Sequence, residues 1–168
     1  ARLRGMFAFA IWDSRKAALL LARDQFGIKP LFYSVVGDKL YFASEMKALL
    51  LAADIGAGLD TEAVDAYFTS LYIPAPITVY KAMRKLEPAQ TLLFRGGRAE
   101  IKTYWRLPAF GASAAKTWEE YLEAADGLLA SSVAEQLVSD VPLGLLLSGG
   151  VDSSSLLYYM NSSGAAPV

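Results

Sequence analysis

The sequence predicts a mixed α+β chain in two partial units, residues 1–110 built on antiparallel hairpins and residues 111–168 opening a parallel α/β sheet. Three observations carry this expectation. Short apolar runs alternate with turn residues over the first forty positions. A stretch rich in Pro, Gly and small residues follows. Near the end, an apolar run passes through Ser148, Gly149 and Gly150 into a segment with helical character.

Met6 to Trp12 and Ala18 to Ala22 are short and apolar, and Asp13 to Lys16 forms a hydrophilic turn between them, so they read as paired strands. Leu31 to Val36 and Lys39 to Ala43 flank Gly37-Asp38, a second hairpin. Four strands this close together point to one antiparallel sheet. Ser44 ahead of Glu45, Lys47 and Ala48 to Leu51 reads as a capped helix start. Residues 61–72 read as a second helix opening at Asp60 or Thr61, with Val64, Tyr67, Phe68 and Leu71 on one face. Pro74-Ala75-Pro76 breaks it and begins a connection running to about Pro88. Gln90 to Arg95 and Arg98 to Trp105 meet at Gly96-Gly97, a third hairpin expected to return to the first sheet. Residues 107–116 have the composition of a linker. Thr117 and Glu120 then form a capping box for a helix whose apolar face runs from Trp118 through Tyr121, Leu122, Ala125, Leu128, Leu129 and Val133 to Leu137.

Composition narrows the chemistry. The 168 residues are 54% hydrophobic and 20% charged, enough apolar material for a core and too much for a disordered chain. Sixteen Lys and Arg against seventeen Asp and Glu leave a net charge of −1, which argues against nucleic acid or a membrane surface held by bulk charge. The longest apolar runs fall short of the roughly 18–20 residues that span a bilayer. With no Cys and no His, these residues supply neither a disulfide, a Cys or His metal site, a Cys nucleophile nor a Ser-His-Asp triad. Chemistry here runs on hydroxyls, carboxylates, amines and backbone amides. The Cys-free composition suits a reducing, cytoplasmic setting.

Asp140 to Leu147, Ser148-Gly149-Gly150-Val151-Asp152-Ser153-Ser154 and Ser155 to Met160 read as strand, glycine turn and helix. Glycines admit close backbone approach to a ligand, first-turn N–H groups attract anions, and Ser hydroxyls add donors. A Walker A loop is excluded because no Lys follows Lys116. Asp152 would repel bare phosphate but ligates Mg²⁺, so the turn suits Mg-pyrophosphate. The local pattern alone also fits a plain tight turn capped by Asp152 or Ser153.

Leu147 to Ser154 resembles the PP-loop of ATP pyrophosphatases, and Ser139 to Pro142 ahead of it is similar to asparagine synthase. Three earlier segments, Gly5 to Asp13, Arg23 to Leu31 and Ala43 to Leu49, resemble the glutaminase domain of that family, and Tyr72 to Pro76, Lys85 to Pro88 and Tyr104-Trp105 are similar to its connector. The likeness runs from about residue 5 to 160, and the family is glutamine-hydrolysing asparagine synthase. It implies that residues 1–110 are the C-terminal part of a class II glutamine amidotransferase domain with connector, a partial N-terminal-nucleophile αββα sandwich. It makes residues 111–168 the first strand, loop and helix of the nucleotide-binding synthetase domain.

The implied reaction is ATP-dependent amidation of L-aspartate through a β-aspartyl-AMP intermediate, with ammonia from glutamine. ATP and Mg²⁺ are the implied cofactors, and a homodimer remains open. Leu147, Ser148, Gly149, Gly150, Val151, Asp152, Ser153 and Ser154 would hold ATP or pyrophosphate: Leu147 against the nucleotide, the Gly149 and Gly150 amides and the Ser148, Ser153 and Ser154 hydroxyls on the anion, and Asp152 on the metal. The family's glutaminase Cys is absent from this chain, so no catalytic residue is expected in it. The chain is expected to be an internal fragment, inactive alone and poorly soluble because sheet edges lack neighbours.

Related amidotransferases such as β-lactam synthetase share both segments, and a non-catalytic interaction module is the remaining alternative. Arg23-Asp24 is expected to be a turn-fixing ion pair and cap, and Glu45 with Lys47 a solvated helical turn. Phe7, Phe9, Trp12, Phe32, Tyr33, Tyr41 and Phe42 are expected in the core.

Overall fold

The computed structural model describes residues 3–109, 111 and 116–164. Ala1 and Arg2, residues 110 and 112–115 of the expected linker, and residues 165–168 lie outside them. The chain divides into two units, Ala1–Leu107 and Pro108–Val168.

In the first unit, strands β1 (Ala8–Asp13), β2 (Ala18–Arg23), β6 (Gln90–Arg95) and β7 (Arg98–Thr103) form one antiparallel sheet in the order β1-β2-β6-β7. Strands β3 (Phe32–Val36), β4 (Lys39–Ala43) and β5 (Arg84–Lys85) form a second, in the order β4-β3-β5. The four early strands expected in one sheet are therefore divided between two. Register explains the division: β2 finds its second partner in β6, with Leu21 opposite both Ala10 and Leu92. Alternation then points Leu19, Leu21, Leu92 and Phe94 to one face. There they pack with Leu31 and Leu86 and with Tyr33 and Leu40 of the second sheet. That shared layer is the main core of the unit.

The other face of the second sheet is also covered. Leu49, Ile55 and Met83 form a smaller core with Phe32, Val36, Tyr41 and Ala43. Leu49 comes from helix α1 (Met46–Leu49), which is a single turn. Its N-cap is Glu45 rather than the expected Ser44, and no side chain bonds the cap. Glu45 instead pairs with Lys47 at 2.6 Å in solvent, the solvated turn expected there. The outer face of the first sheet has no such layer among the described residues. Ile11 on that face is 53% exposed; Trp12, on the Leu19 side of edge strand β1, and Phe42 of β4 are exposed as well, so these two of the seven aromatics expected in the core are not buried.

Helix α2 (Thr61–Ser70) starts where expected, because Asp60 accepts the N–H groups of Glu62 and Ala63. It stops at Leu71, whose φ of +59° ends the helical run. Only Ala63 is buried, whereas Tyr67, Phe68 and Leu71 of the expected apolar face are exposed. Periodicity marked the helix correctly but not what it packs on.

The Arg23–Leu31 segment is fixed by two polar groups. Asp24, 1% exposed, accepts the N–H groups of Phe26 (3.2 Å), Ile28 (2.9 Å) and Lys29 (3.0 Å). Burial pushes its carboxyl up, but the surrounding N–H groups of Lys29, Ile28, Phe26 and Phe7 prevail and hold it below the ordinary carboxylate value. The Arg23 guanidinium donates to the carbonyls of Lys29 (2.8 Å), Leu86 (2.5 Å) and Gly27 (2.5 Å). The expected turn-fixing role is observed, but it runs through the backbone. Tyr104 Oη donates to the Arg23 carbonyl at 2.7 Å and ties the end of β7 to the same place.

The second unit holds helices α3 (Trp118–Gln136) and α4 (Val151–Ser162), which pack on each other. The capping box forms as expected: Thr117 Oγ1 accepts Glu120 N–H, and the Glu120 carboxylate accepts Thr117 N–H at 2.7 Å. Val133 is the one buried residue of α3, so most of its apolar face is open. Residues 140–147, expected as a strand, have no ladder. A strand exists only against a hydrogen-bonded neighbour, and none of the described residues pairs with this stretch. No helix among the described residues is long and apolar enough to cross a membrane.

Candidate phosphate-binding turn

The turn expected to carry chemistry joins residues 143–147 to α4. Gly149 sits at φ +78°, a conformation costly for side-chain-bearing residues, and Gly150 is the N-cap of α4 at φ −76°. No side chain bonds this cap, so the first-turn N–H groups of Val151, Asp152 and Ser153 keep their donor capacity. A helix of twelve residues places the positive end of its dipole at the same point.

Four hydrogen bonds close the turn on itself. Gly150 N–H donates to Ser148 Oγ (3.3 Å), Ser148 Oγ meets Ser153 Oγ (3.1 Å), and Ser153 Oγ donates to the Gly150 carbonyl (3.2 Å). Ser148 N–H donates to Ser153 Oγ at 3.3 Å. Hydroxyl bonds of this length lie beyond the usual 2.7–2.8 Å optimum and are weak. The structure thus places the Ser148 and Ser153 hydroxyls and the Gly150 amide against one another. The Gly149 amide and the Ser154 hydroxyl take no part in these four bonds.

Gly149, Val151, Ser154 and Ser155 line a shallow cavity of about 420 Å³, with Tyr158 and Tyr159 as its remaining wall. Leu147 at the entry is exposed. Asp152 lies in the first helical turn, exposed and with no ion pair among the described residues. Of the eight residues expected from the sequence, Gly149, Val151 and Ser154 line this cavity, Ser148, Gly150 and Ser153 bond one another in the turn, and Leu147 and Asp152 are exposed. The two tyrosines were not anticipated. Tyr158 follows Ser154 by four positions, so it shares a helical face with it, a spacing that would have found it. Tyr159 is held from α3, its hydroxyl donating to Asp126 Oδ1 at 2.8 Å, and that bond raises its pKa.

No group of three or more carboxylates able to hold a metal occurs among the described residues. A lone carboxylate beside anion-seeking amides suits Mg²⁺ better than a protein cage would be needed for it, since this ion commonly keeps waters and binds one or two carboxylates together with substrate phosphates. Asp152 fits a metal that arrives on a phosphate.

A glycine turn that opens a helix with uncapped first-turn amides thus follows a two-sheet antiparallel unit in one chain. Comparison with known proteins identifies both parts. Residues 1–105 match the family model of the glutamine amidotransferase domain, and residues 124–168 match that of asparagine synthase. The chain belongs to the glutamine-hydrolysing asparagine synthase family. It is 39% identical over 160 residues to asparagine synthetase [glutamine-hydrolyzing] 1 of Bacillus subtilis, covering 94% of this chain and 24% of that protein. It is 36% identical over 155 residues to asparagine synthetase [glutamine-hydrolyzing] 3 of the same organism, covering 92% and 25%. Amidase chyE of Penicillium rubens is 36% identical over 160 residues, covering 93% and 23%. The chain spans about a quarter of the length of these relatives.

Proposed function

We propose that the chain is part of a glutamine-hydrolysing asparagine synthase, and that residues 147–154 hold the pyrophosphate end of ATP with Mg²⁺. In this reading the whole protein amidates L-aspartate. The side-chain carboxylate attacks the α-phosphorus of ATP and pyrophosphate leaves. Ammonia released from glutamine then attacks the β-aspartyl-AMP and displaces AMP. The task of this chain falls on the leaving group. The Gly149, Val151, Asp152 and Ser153 amides and the Ser154 hydroxyl donate to its oxygens, where charge accumulates as the P–O bond breaks. Asp152 would hold the Mg²⁺, which would supply a counter-charge to the leaving group. Phosphate oxygens also replace the long bonds among Ser148, Ser153 and Gly150, freeing those donors for the ligand. Leu147 lies against the nucleotide. ATP, aspartate and glutamine are cytoplasmic metabolites, and the protein is placed there with them.

The observation that carries this reading is the ordered pair of family matches in one chain, with the glycine turn inside the second. Titration calorimetry of this chain with Mg-pyrophosphate tests the site. Binding that needs Mg²⁺ and weakens about tenfold in Asp152→Asn, the loss of roughly 1.4 kcal/mol, supports it. Heat that is independent of metal and of Asp152 contradicts it. The identity with Amidase chyE favours a second reading, a ligase of the same design acting on another carboxylate. Asparagine formation by the whole protein decides between them.

A further inference from the structure

We infer that Tyr158 is a further contact residue of the anion site, its hydroxyl donating to the phosphate oxygens that lie farthest from the glycine turn, and that Tyr159 and Asp126 position it. The inference rests on the reading of residues 147–154 as a pyrophosphate site. Gly149 of the turn and both tyrosines line one cavity, together with Val151, Ser154 and Ser155. Two of the hydroxyls on its wall are committed: Ser155 Oγ donates to the Val151 carbonyl at 2.8 Å, and Tyr159 Oη to Asp126 Oδ1 at 2.8 Å. The other two, on Ser154 and Tyr158, make no hydrogen bond among the described residues. The cavity thus keeps one free donor beside the turn and a second farther along α4.

Val151, Ser154, Ser155 and Tyr158 recur at helical spacing and share one side of α4. Helical side chains lean toward the N-terminus, so a long residue covers the surface of the turn before its own Cα. The Tyr158 side chain therefore leans over Ser154, toward the glycines. Tyr158 follows Val151 by seven residues, about 10 Å along the axis at ~1.5 Å per residue, and the lean recovers about one turn, ~5.4 Å. A single phosphate held on the first-turn amides does not cross the remaining gap. Two or three linked phosphates do, with Ser154 beside them midway.

Tyr158 is 64% exposed, so the core does not fix its ring. Tyr159 does. The two rings meet edge to face, with centroids 5.1 Å apart and planes at 77°, the arrangement that the aromatic quadrupole favours. Tyr159 is held in turn from α3 by its bond to Asp126. No Lys or Arg follows Lys116, so α4 itself offers distant phosphate oxygens hydroxyls and no cation. A tyrosine hydroxyl is a neutral donor at pH 7. It therefore selects by reach rather than by charge, and favours an anion long enough to meet it over orthophosphate.

Calorimetry of the full chain with Mg-pyrophosphate and with Mg-orthophosphate tests this, alongside tyrosine ultraviolet difference spectra. Tyr158→Phe, which keeps the ring and removes the donor, should weaken pyrophosphate binding about tenfold, the loss of one hydrogen bond to a charged acceptor. Orthophosphate binding and the circular dichroism spectrum should not change. Pyrophosphate should perturb the tyrosine spectrum of the parent, and Tyr158→Phe should abolish that change. Asp126→Ala, which releases Tyr159, should weaken pyrophosphate binding in the same selective way, whereas Asp126→Asn, which keeps an acceptor, should retain most of it. A parent that binds Mg-pyrophosphate through Asp152 while Tyr158→Phe binds it equally well overturns this inference alone. So does a Tyr158→Phe loss that is the same for both anions. A parent that does not bind Mg-pyrophosphate overturns the underlying reading of the turn, and this inference with it.

Discussion

Replacing Asp24 by Asn is the sharpest perturbation of the first unit. Asp24 Oδ1 accepts Phe26 and Ile28 N–H, and Oδ2 accepts Lys29 N–H. Asparagine can keep the first two bonds, but its NH₂ then confronts the Lys29 amide, donor against donor. A hydrogen bond to a charged group contributes about 1.5–3 kcal/mol, and a buried donor left unpaired costs about 1–3 kcal/mol. The substitution should therefore cost about 2–4 kcal/mol, a large share of the ~5–15 kcal/mol by which domains are stable. Asp24→Ala should cost at least as much. Urea unfolding followed by tryptophan fluorescence reads this, because Trp105 packs on Phe26 with ring centroids 5.5 Å apart, at the segment Asp24 holds. The pH dependence has a definite sign. The folded carboxyl lies below its ordinary value, so its stabilisation is complete above the unfolded pKa of about 3.9 and is lost as pH falls through the folded one. The difference between parent and Asp24→Asn should thus be constant near neutrality and shrink in acid. A loss under about 0.5 kcal/mol, smaller than a single such bond, or a difference that grows as pH falls, refutes the reasoning.

Gly27→Ala should be strongly destabilising in the same assay, by more than the ~1–2 kcal/mol of a left-handed backbone alone. Here φ is +65° and the added Cβ would stand 2.8 Å from Pro88 Cγ and 3.0 Å from Arg23 Cζ. Gly149→Ala separates backbone from packing: φ is +78° with nothing within 4 Å of the new methyl, so only the ~1–2 kcal/mol conformational cost remains. It should appear as weaker pyrophosphate binding in calorimetry with α-helical ellipticity retained. Thr117→Ala removes the acceptor of Glu120 N–H and should cost about 1 kcal/mol, read as earlier melting of helical signal. Ser153→Ala opens three of the four bonds that close the turn, and faster amide exchange at Ser148 should follow.

Local chemistry made the hairpins legible. Gly37-Asp38 and Gly96-Gly97 occupy left-handed positions at Gly37, Gly96 and Gly97 that announce two-residue turns in any context. Partnering was not legible in the same way. Leu21 meets Leu92 across seventy-one positions, and nothing near β2 says that β6 rather than β3 will lie beside it. β5 has only two residues and carries no pattern of its own. The exposure of Trp12 and Phe68 has the same origin, because amphipathic spacing names the face that is apolar without supplying its cover. At the turn, the glycines announced the left-handed φ at Gly149 and the helix start at Gly150. The internal bonding of Ser148 with Ser153 was not legible, since it depends on side-chain rotation after the turn has formed. Nor was the Tyr159–Asp126 bond, which joins helices thirty-three positions apart.

The account rests on anion capture by the first turn of α4. Amide chemical shifts recorded while Mg-pyrophosphate is added to the isotopically labelled chain test this directly. Saturable shifts confined to Ser148 through Ser155, largest at Gly149, Val151 and Asp152 and absent when Mg²⁺ is withheld, are the predicted result. Shifts that scatter over both units, or a Ser148–Ser155 segment that stays still while the ligand binds elsewhere, would contradict it.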